Sequence, residues 1–219
     1  MKKVSSAMLV AMVLFFSSCS RDMITGGGTI TTENRNIKNF KKIGLAGSSQ
    51  VTVIKGDAFN VEIKDYSNLL PYFNTTVIDG TLELGFQEHI NVRQSKMNIV
   101  VTMPVLTGLS IAGSGDITST GDFTNNSRFE AEILGSGNII LVHGRAANFN
   151  GSIAGSGNIE AFSFTAEKAT LEIAGSGNIK ITATDKLHAK IDGSGNIYYA
   201  GSPVVSVAIN GSGKVEKKY

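Results

Sequence analysis

Apolar and polar residues alternate with a period of two through most of this chain, and one short phrase interrupts the alternation at regular intervals. Phe129, Ala131 and Ile133 alternate with Glu130 and Glu132, and Ala169, Leu171 and Ile173 with Thr170 and Glu172. Leu187, Ala189 and Ile191 alternate with His188 and Lys190, and Val205, Val207 and Ile209 with Ser206 and Ala208. A period of two puts one set of side chains on a buried face and the other in water, so each run predicts a β-strand. Each run ends in Gly-Ser-Gly, after which the alternation resumes through Ile139 and Leu141, Ile159 and Ala161, Ile179 and Ile181, and Ile197 and Tyr199. The unit is a strand, a tight corner, a strand and a looser return.

The phrase occurs six times, at Gly113-Ser114-Gly115, Gly135-Ser136-Gly137, Gly155-Ser156-Gly157, Gly175-Ser176-Gly177, Gly193-Ser194-Gly195 and Gly211-Ser212-Gly213, with spacings of 22, 20, 20, 18 and 18 residues. Self-similarity near twenty residues predicts stacked coils, each too small to bury its own apolar face. The corner calls for glycine because a chain that turns its inward face within a few residues must visit positive φ. Asn tolerates that region better than other residues, and Asn138, Asn158, Asn178 and Asn196 follow the second glycine, with Asp116 and Lys214 in the outer copies. Coils stacked at the interstrand distance would align the serines into a hydroxyl ladder and the asparagines into an amide ladder. This structural role accounts for every residue of the motif.

The rest of the chain lacks that beat. Residues 1–18 carry Lys2 and Lys3, then an apolar run over residues 7–16, then Ser17 and Ser18, which reads as a secretory signal too short to span a membrane. Cys19 is the only cysteine, so no intramolecular disulfide forms. A lone cysteine directly behind a signal resembles the bacterial lipobox, with Phe16 standing where Leu is usual. That resemblance implies a lipidated Cys19, a membrane partner through the lipid anchor, and an outer-membrane location, since Ser20 rather than Asp follows. Whether the protein faces the periplasm or the outside is left open. Residues 19–36, with Gly26, Gly27 and Gly28, read as a flexible tether.

Residues 37–105 are β-rich without Gly-Ser-Gly, with Asp79-Gly80 as a hairpin signal. One helical turn fits between residues 67 and 73. Gly47-Ser48-Ser49 looks like a decayed corner. This section is expected to cap the apolar end of the repeat solenoid formed by residues 106–219. At the far end Lys214, Glu216, Lys217 and Lys218 discourage edge-to-edge pairing.

Charge and chemistry narrow the function. Without Lys2 and Lys3 the 20 basic residues fall to parity with the 18 acidic ones, and a neutral domain with no basic stripe argues against nucleic acid. His89, His143 and His188 show no metal spacing. Most acidic slots of a calcium ladder are filled by neutral Asn. Gly-Ser-Gly lacks the spacing of a nucleophile elbow, and no phosphate-binding motif occurs. No cofactor, metal or catalytic residue is expected. Glu130 and Glu132 are the nearest approach to the paired carboxylates of a polysaccharide-active enzyme, but they read more simply as a solvated strand face beside Glu172 and Lys190.

The segment Phe40-Lys-Lys-Ile43-Gly44-Leu45, the hairpin Asp79-Gly80-Thr-Leu82-Glu-Leu84, the lead-in Val101-Thr-Met-Pro104, the Gly-Ser-Gly-Asn-Ile phrases and the late Tyr198-Tyr199-Ala-Gly201-Ser-Pro203 resemble the auto-transporter adhesin, head GIN domain family. The resemblance covers residues 38–215. It implies an all-β fold, a single-stranded right-handed β-helix, on a secreted bacterial lipoprotein, and it carries no catalytic residues. The expected function is a non-catalytic envelope module with a glycan or protein ligand. Flat faces of such rods are compatible with homo-oligomers.

Overall fold

The computed structural model describes residues 22–218; the expected signal segment and Cys19 lie outside the described residues. The strands in chain order are β1 (Asp22–Thr25), β2 (Ile30–Arg35), β3 (Lys42–Gly47), β4 (Gln50–Lys55), β5 (Asn60–Tyr66), β6 (Phe73–Ile78), β7 (Thr81–Phe86), β8 (Ile90–Arg93) and β9 (Asn98–Met103). They continue with β10 (Gly108–Gly113), β11 (Asp116–Gly135), β12 (Asn138–Gly155), β13 (Asn158–Gly175), β14 (Asn178–Gly193), β15 (Asn196–Ala200), β16 (Val204–Gly211) and β17 (Lys214–Lys217). The fold is a β-solenoid. The strand before each corner pairs in parallel with its counterpart one coil away, and so does the strand after it.

Inside the coil the alternation holds. Ile111, Ile133, Ile153, Ile173 and Ile191 stack in one buried row, and Ile117, Ile139, Ile159, Ile179 and Ile197 in the row facing it. Phe129, Phe149 and Phe164 fill the wider part of the core, with ring centroids 4.9 to 5.9 Å apart. The shortening of the coils is absorbed far from the corners. Between β11 and β12 the register slips between Ser119 and Asp122 and again between Phe123 and Asn126, while the residues flanking the corner stay aligned. β13 and β14 slip in the same part of the coil. Register next to a corner is pinned because a one-residue slip there would turn the isoleucine row outward.

The first section does more than cap the stack. β3 and β4 form a true coil whose Gly47 aligns with Gly113, and the corner column therefore begins at residue 47. β7 and β9 pair in parallel beneath β3 and β4, so they complete a further coil under the first one. The chain thus lays down one coil, passes below it to build another, and returns above it at β10. Below, β6 and β5 run antiparallel to the lowest strands, and β2 runs antiparallel to β5. The β6–β7 hairpin turns at Asp79 and Gly80, both at positive φ, as Asp-Gly predicts. The expected helical turn is a single 3-10 turn at Leu70–Tyr72. Aromatic pairs close the core at this end: Phe40 against Phe59, and Phe73 edge-on to Phe86. Arg35 stitches the two lowest edges together by donating to the carbonyls of Leu70 and Phe73 and to the hydroxyl of Thr75.

Two expectations need correction. Residues 22–35 are not a free tether: β1 pairs in parallel with β8, and β2 with β5. Asn68 fastens the glycine stretch by accepting from the Gly27 amide and donating to the Thr25 carbonyl, both at 2.9 Å. At the opposite end Val207 and Ile209, expected inside, are 47% and 42% exposed. They keep the inward pattern, but no further coil covers them among the described residues.

Candidate functional site

The corners form one column, with Gly47, Gly113, Gly135, Gly155, Gly175, Gly193 and Gly211 in register. The first glycine of each Gly-Ser-Gly holds φ between 134° and 139°. A Cβ there would also collide with the carbonyl oxygen of the glycine one coil below. The second glycine is not at positive φ. It is required because its Cβ would strike the backbone oxygen beneath it, as with Gly157 over Gly137. Close approach lets the corner hydrogen-bond itself: the amides of Ser136 and Gly137 both donate to the Gly113 carbonyl, and Asn138 N–H donates to the Gly115 carbonyl.

The asparagines hold their place by the amide ladder that the repeat predicts, and not by a left-handed backbone. None of them is at positive φ. Their amides form a ladder in which Asn138 donates to Asp116 at 2.7 Å, Asn158 to Asn138, Asn178 to Asn158, and Asn196 to Asn178 at 2.9 to 3.0 Å. Every dipole points the same way. The carboxylate of Asp116 sits at the donor end, and Lys214 pairs with Asn196 at the acceptor end, the signs that stabilise an aligned array of dipoles. The serines make no ladder. Ser114, Ser136, Ser156, Ser176, Ser194 and Ser212 contribute their backbone N–H groups to the stack, and among the described residues no hydroxyl–hydroxyl bond joins them. All six serines are exposed.

The outer face before the corners gathers the acidic candidates. Glu130 accepts from Lys42 Nζ at 2.6 Å and pairs with Arg128 at 2.9 Å. The Lys42 hydrogen bond, with both cations' charge, holds the Glu130 carboxyl below its ordinary value. A glycosidase needs one carboxyl raised so that it can donate a proton, and Glu130 is pushed the other way. Lys190, expected against Glu172, makes its ion pair with Asp192 at 3.2 Å, with Glu172 adding attraction from the next coil. His89, His143 and His188 are all exposed and stand on different elements.

Sequence reasoning missed the one corner that breaks the pattern. In the coil made by β7 and β9, residues 87–97 do the work that Ser48 and Ser49 do one coil above. This expanded corner lies beneath the corner at Gly47, and between them is an open cleft of about 670 Å³. Ala46, Phe86, Ile90, Val92 and Met97 supply apolar lining, Ser48, Gln50, Gln87 and Asn98 supply hydroxyl and amide groups, and Lys96 is the one charged lining residue.

The expanded corner is fixed. Asp65, fully buried, accepts from the Tyr66 and Lys96 amides and from the Ser95 hydroxyl, at 2.6 to 2.8 Å. β8 is held by β1, and Gln94 takes φ of 57°, a left-handed conformation that a non-glycine residue adopts only when its surroundings impose it. Lys96 Nζ lies 5.7 Å from the centre of the Tyr66 ring. The absence of Gly-Ser-Gly between Leu84 and Ile99 was the available signal.

Residues 39–203 match the model of a family described as "Putative auto-transporter adhesin, head GIN domain". Among solved structures, a "putative adhesin" from Bacteroides fragilis NCTC 9343 is similar at 25% identity and a TM-score of 0.71, over 89% of this chain and 100% of that one. A "putative lipid binding protein" from Parabacteroides distasonis ATCC 8503 is similar at 28% identity and a TM-score of 0.63, over 90% and 100%. A "putative adhesin" from the same organism shares the fold at 23% identity and a TM-score of 0.62, over 90% and 100%. No curated protein matches this chain.

Proposed function

The chain belongs to the head GIN domain family, and from that membership we propose that it is a non-catalytic, lipid-anchored module of the bacterial cell envelope that presents its solenoid as an adhesin-like binding surface. The observation that carries this reading is the in-register stack. Seven aligned corners join long strand faces whose outward residues are mostly polar, with Leu134 and Ile140 among the exposed apolar exceptions, and whose backbone is hydrogen-bonded from corner to corner. Such faces are rigid before contact, which spares an interface the cost of ordering itself. The anchor rests on the apolar run over residues 7–16 and on Cys19; several acyl chains at about 0.8 kcal/mol per buried methylene hold a protein firmly. The non-catalytic part is supported by Glu130, which Lys42 and Arg128 keep ionised.

Two experiments test it. Cells fed an alkyne fatty acid should label the wild-type chain in the membrane fraction, and Cys19→Ala should lose the label and appear in the soluble fraction. Residues 20–219, purified, should retain whole cells, glycans or an envelope protein above a solenoid of unrelated sequence. Unlabelled wild-type protein removes the anchor from this account, and a binding screen no better than the control removes the adhesin-like role.

A further inference from the structure

We propose that the cleft between the expanded corner and the corner at Gly47 binds an acidic saccharide, with Lys96 receiving the carboxylate. This rests on the binding-module reading and adds to it a site and a ligand class.

Four independent features converge on the cleft. In a stacked solenoid an insertion into one coil falls on a loop, and such loops tend to form the binding face; here residues 87–97 are the departure from a corner that the coils above repeat. The insertion is held rather than loose, by the three hydrogen bonds on Asp65 and by the β1–β8 pairing. A rigid shell of this kind is what a binding site needs. Its strained residue, Gln94, lies two positions before Lys96, and backbone strain concentrates at ligand clamps. The volume, about 670 Å³, falls among those of small-ligand sites.

The lining chemistry selects the ligand. Among the described residues the side chains of Ser48, Gln50 and Asn98 make no protein hydrogen bond, although all three are exposed and face the cleft. A primary amide offers donors and an acceptor together, which matches neighbouring sugar hydroxyls that each give and take a proton. Phe86, Ile90, Val92 and Met97 offer an apolar floor, suited to the C–H face of a pyranose. Lys96 has no carboxylate partner among the described residues, and no acidic residue lines the cleft with it. Its ammonium lies over the Tyr66 ring and in no ion pair among the described residues, so a carboxylate on the ligand is the group it lacks. An alkyl chain would leave the amides unused, and it would lie in an open trough.

The test titrates ¹⁵N-labelled residues 20–219 with two matched pairs: sialyllactose against lactose, and trigalacturonate against its methyl ester. At least one acidic probe should shift the amides of residues 47–50 and 86–98 and bind about tenfold tighter than its neutral match, the worth of one charge-assisted contact. In Lys96→Gln, which changes an exposed side chain, that preference should vanish while the spectrum outside the cleft is unchanged. Gln50→Ala together with Asn98→Ala should weaken both members of the pair. Silence of all four sugars at millimolar concentration overturns the proposal, as does an acidic preference that survives Lys96→Gln. Laurate shifting the same amides while the sugars do not would assign the cleft to an anionic amphiphile and also overturn it. If the sugars are silent but cells or envelope proteins are still retained, the cleft assignment falls and the proposed function stands.

Discussion

The corners at residues 135–137, 155–157 and 175–177 and the expanded corner at residues 87–97, one coil below their column, do the same work yet are held by opposite means. The short corners are fixed by their neighbours: each glycine is pressed so closely on the coil below that no side chain fits, and the backbone amides are consumed within the column. The expanded corner touches the column only from beneath. It is held from the side, by the buried Asp65 carboxylate and by a strand borrowed from the chain's N-terminal stretch. A corner saturated by its own stack has little left with which to recognise anything else. The expanded corner leaves Ser48, Gln50, Lys96 and Asn98 facing a cleft, and the capacity for selective binding sits where the repeat gives way.

The sharpest way to break this contrast is to add one methyl group at three glycines. Gly155 combines φ of 137° with a Cβ position that runs into the Gly135 carbonyl. Gly155→Ala should cost about 4 kcal/mol or more, the range in which strain and overpacking act together, and should split the denaturation profile of the solenoid. Gly157 has the collision without the positive φ, so Gly157→Ala should cost somewhat less, about 3 kcal/mol. Gly47 has φ of 104° but nothing within 4 Å of the added carbon, and Gly47→Ala should cost only about 1 kcal/mol. Urea midpoints of the three variants give the order. Equal losses at Gly47 and Gly155 would mean that backbone conformation, not clearance from the stack, dictates the motif.

The expanded corner should fail differently. Asp65→Ala leaves the Lys96 and Tyr66 amides and the Ser95 hydroxyl without their shared acceptor, at a cost of about 3 kcal/mol. Hydrogen exchange should accelerate in β8 and in its partner β1 while β12 to β14 keep their protection. If the upper coils lose protection in step with β8, the two regions are one cooperative unit and the contrast drawn between them is wrong.

That contrast also marks what could be read from the chain. Period-two runs fixed the isoleucine rows, because a buried face writes itself into every second residue, and the glycine spacing fixed the column. The reason for the second glycine was not legible, since clearance between coils is set by residues twenty positions away. The asparagine ladder was legible, because stacked coils align the same residue, but the turn preference read beside it is not used, since none of the four is at positive φ. The position of β3 and β4 between two coils escaped because connection order is not written in local pattern. The cleft escaped because Asp65, which holds its lower wall, is a lone acid in an ordinary strand until Ser95 and Lys96 are brought to it.

A smaller test falls inside the stack. Ser119 occupies an inward row between Val53 and Leu141, 1% exposed, and its Oγ has no hydrogen-bond partner. Ser119→Ala removes an unpaired buried hydroxyl and should raise stability by about 1 kcal/mol. The gain should be visible in the urea midpoint with the slope unchanged. A loss instead would show that the hydroxyl is satisfied in solution, by a trapped water in this row, and that the core of the regular coils is less dry than its apolar rows imply.

The smallest effect belongs to the face that joins the two regions, where Lys42 of the first section reaches Glu130 of the repeats. The Lys42 hydrogen bond lowers the Glu130 pKa from 4.5, so the folded state holds this proton less tightly than the unfolded chain. The resulting stability is present above about pH 4.5 and is lost as the pH falls through the lower folded value. Both side chains are more than a third exposed, 44% for Lys42 and 37% for Glu130, and solvent screening limits the contribution to below about 0.5 kcal/mol. Lys42→Gln should therefore lower stability slightly at pH 7, match wild type well below pH 4, and flatten the acid limb between. Added salt at 0.5 M, roughly, should shrink the difference at pH 7, since exposed pairs are screened over a few ångströms. A Lys42→Gln deficit that persists unchanged at pH 3 would assign the loss to packing of the lysine stem over Gly108, whose missing side chain leaves room for it, and the seam between the two regions would then be apolar in its energetics.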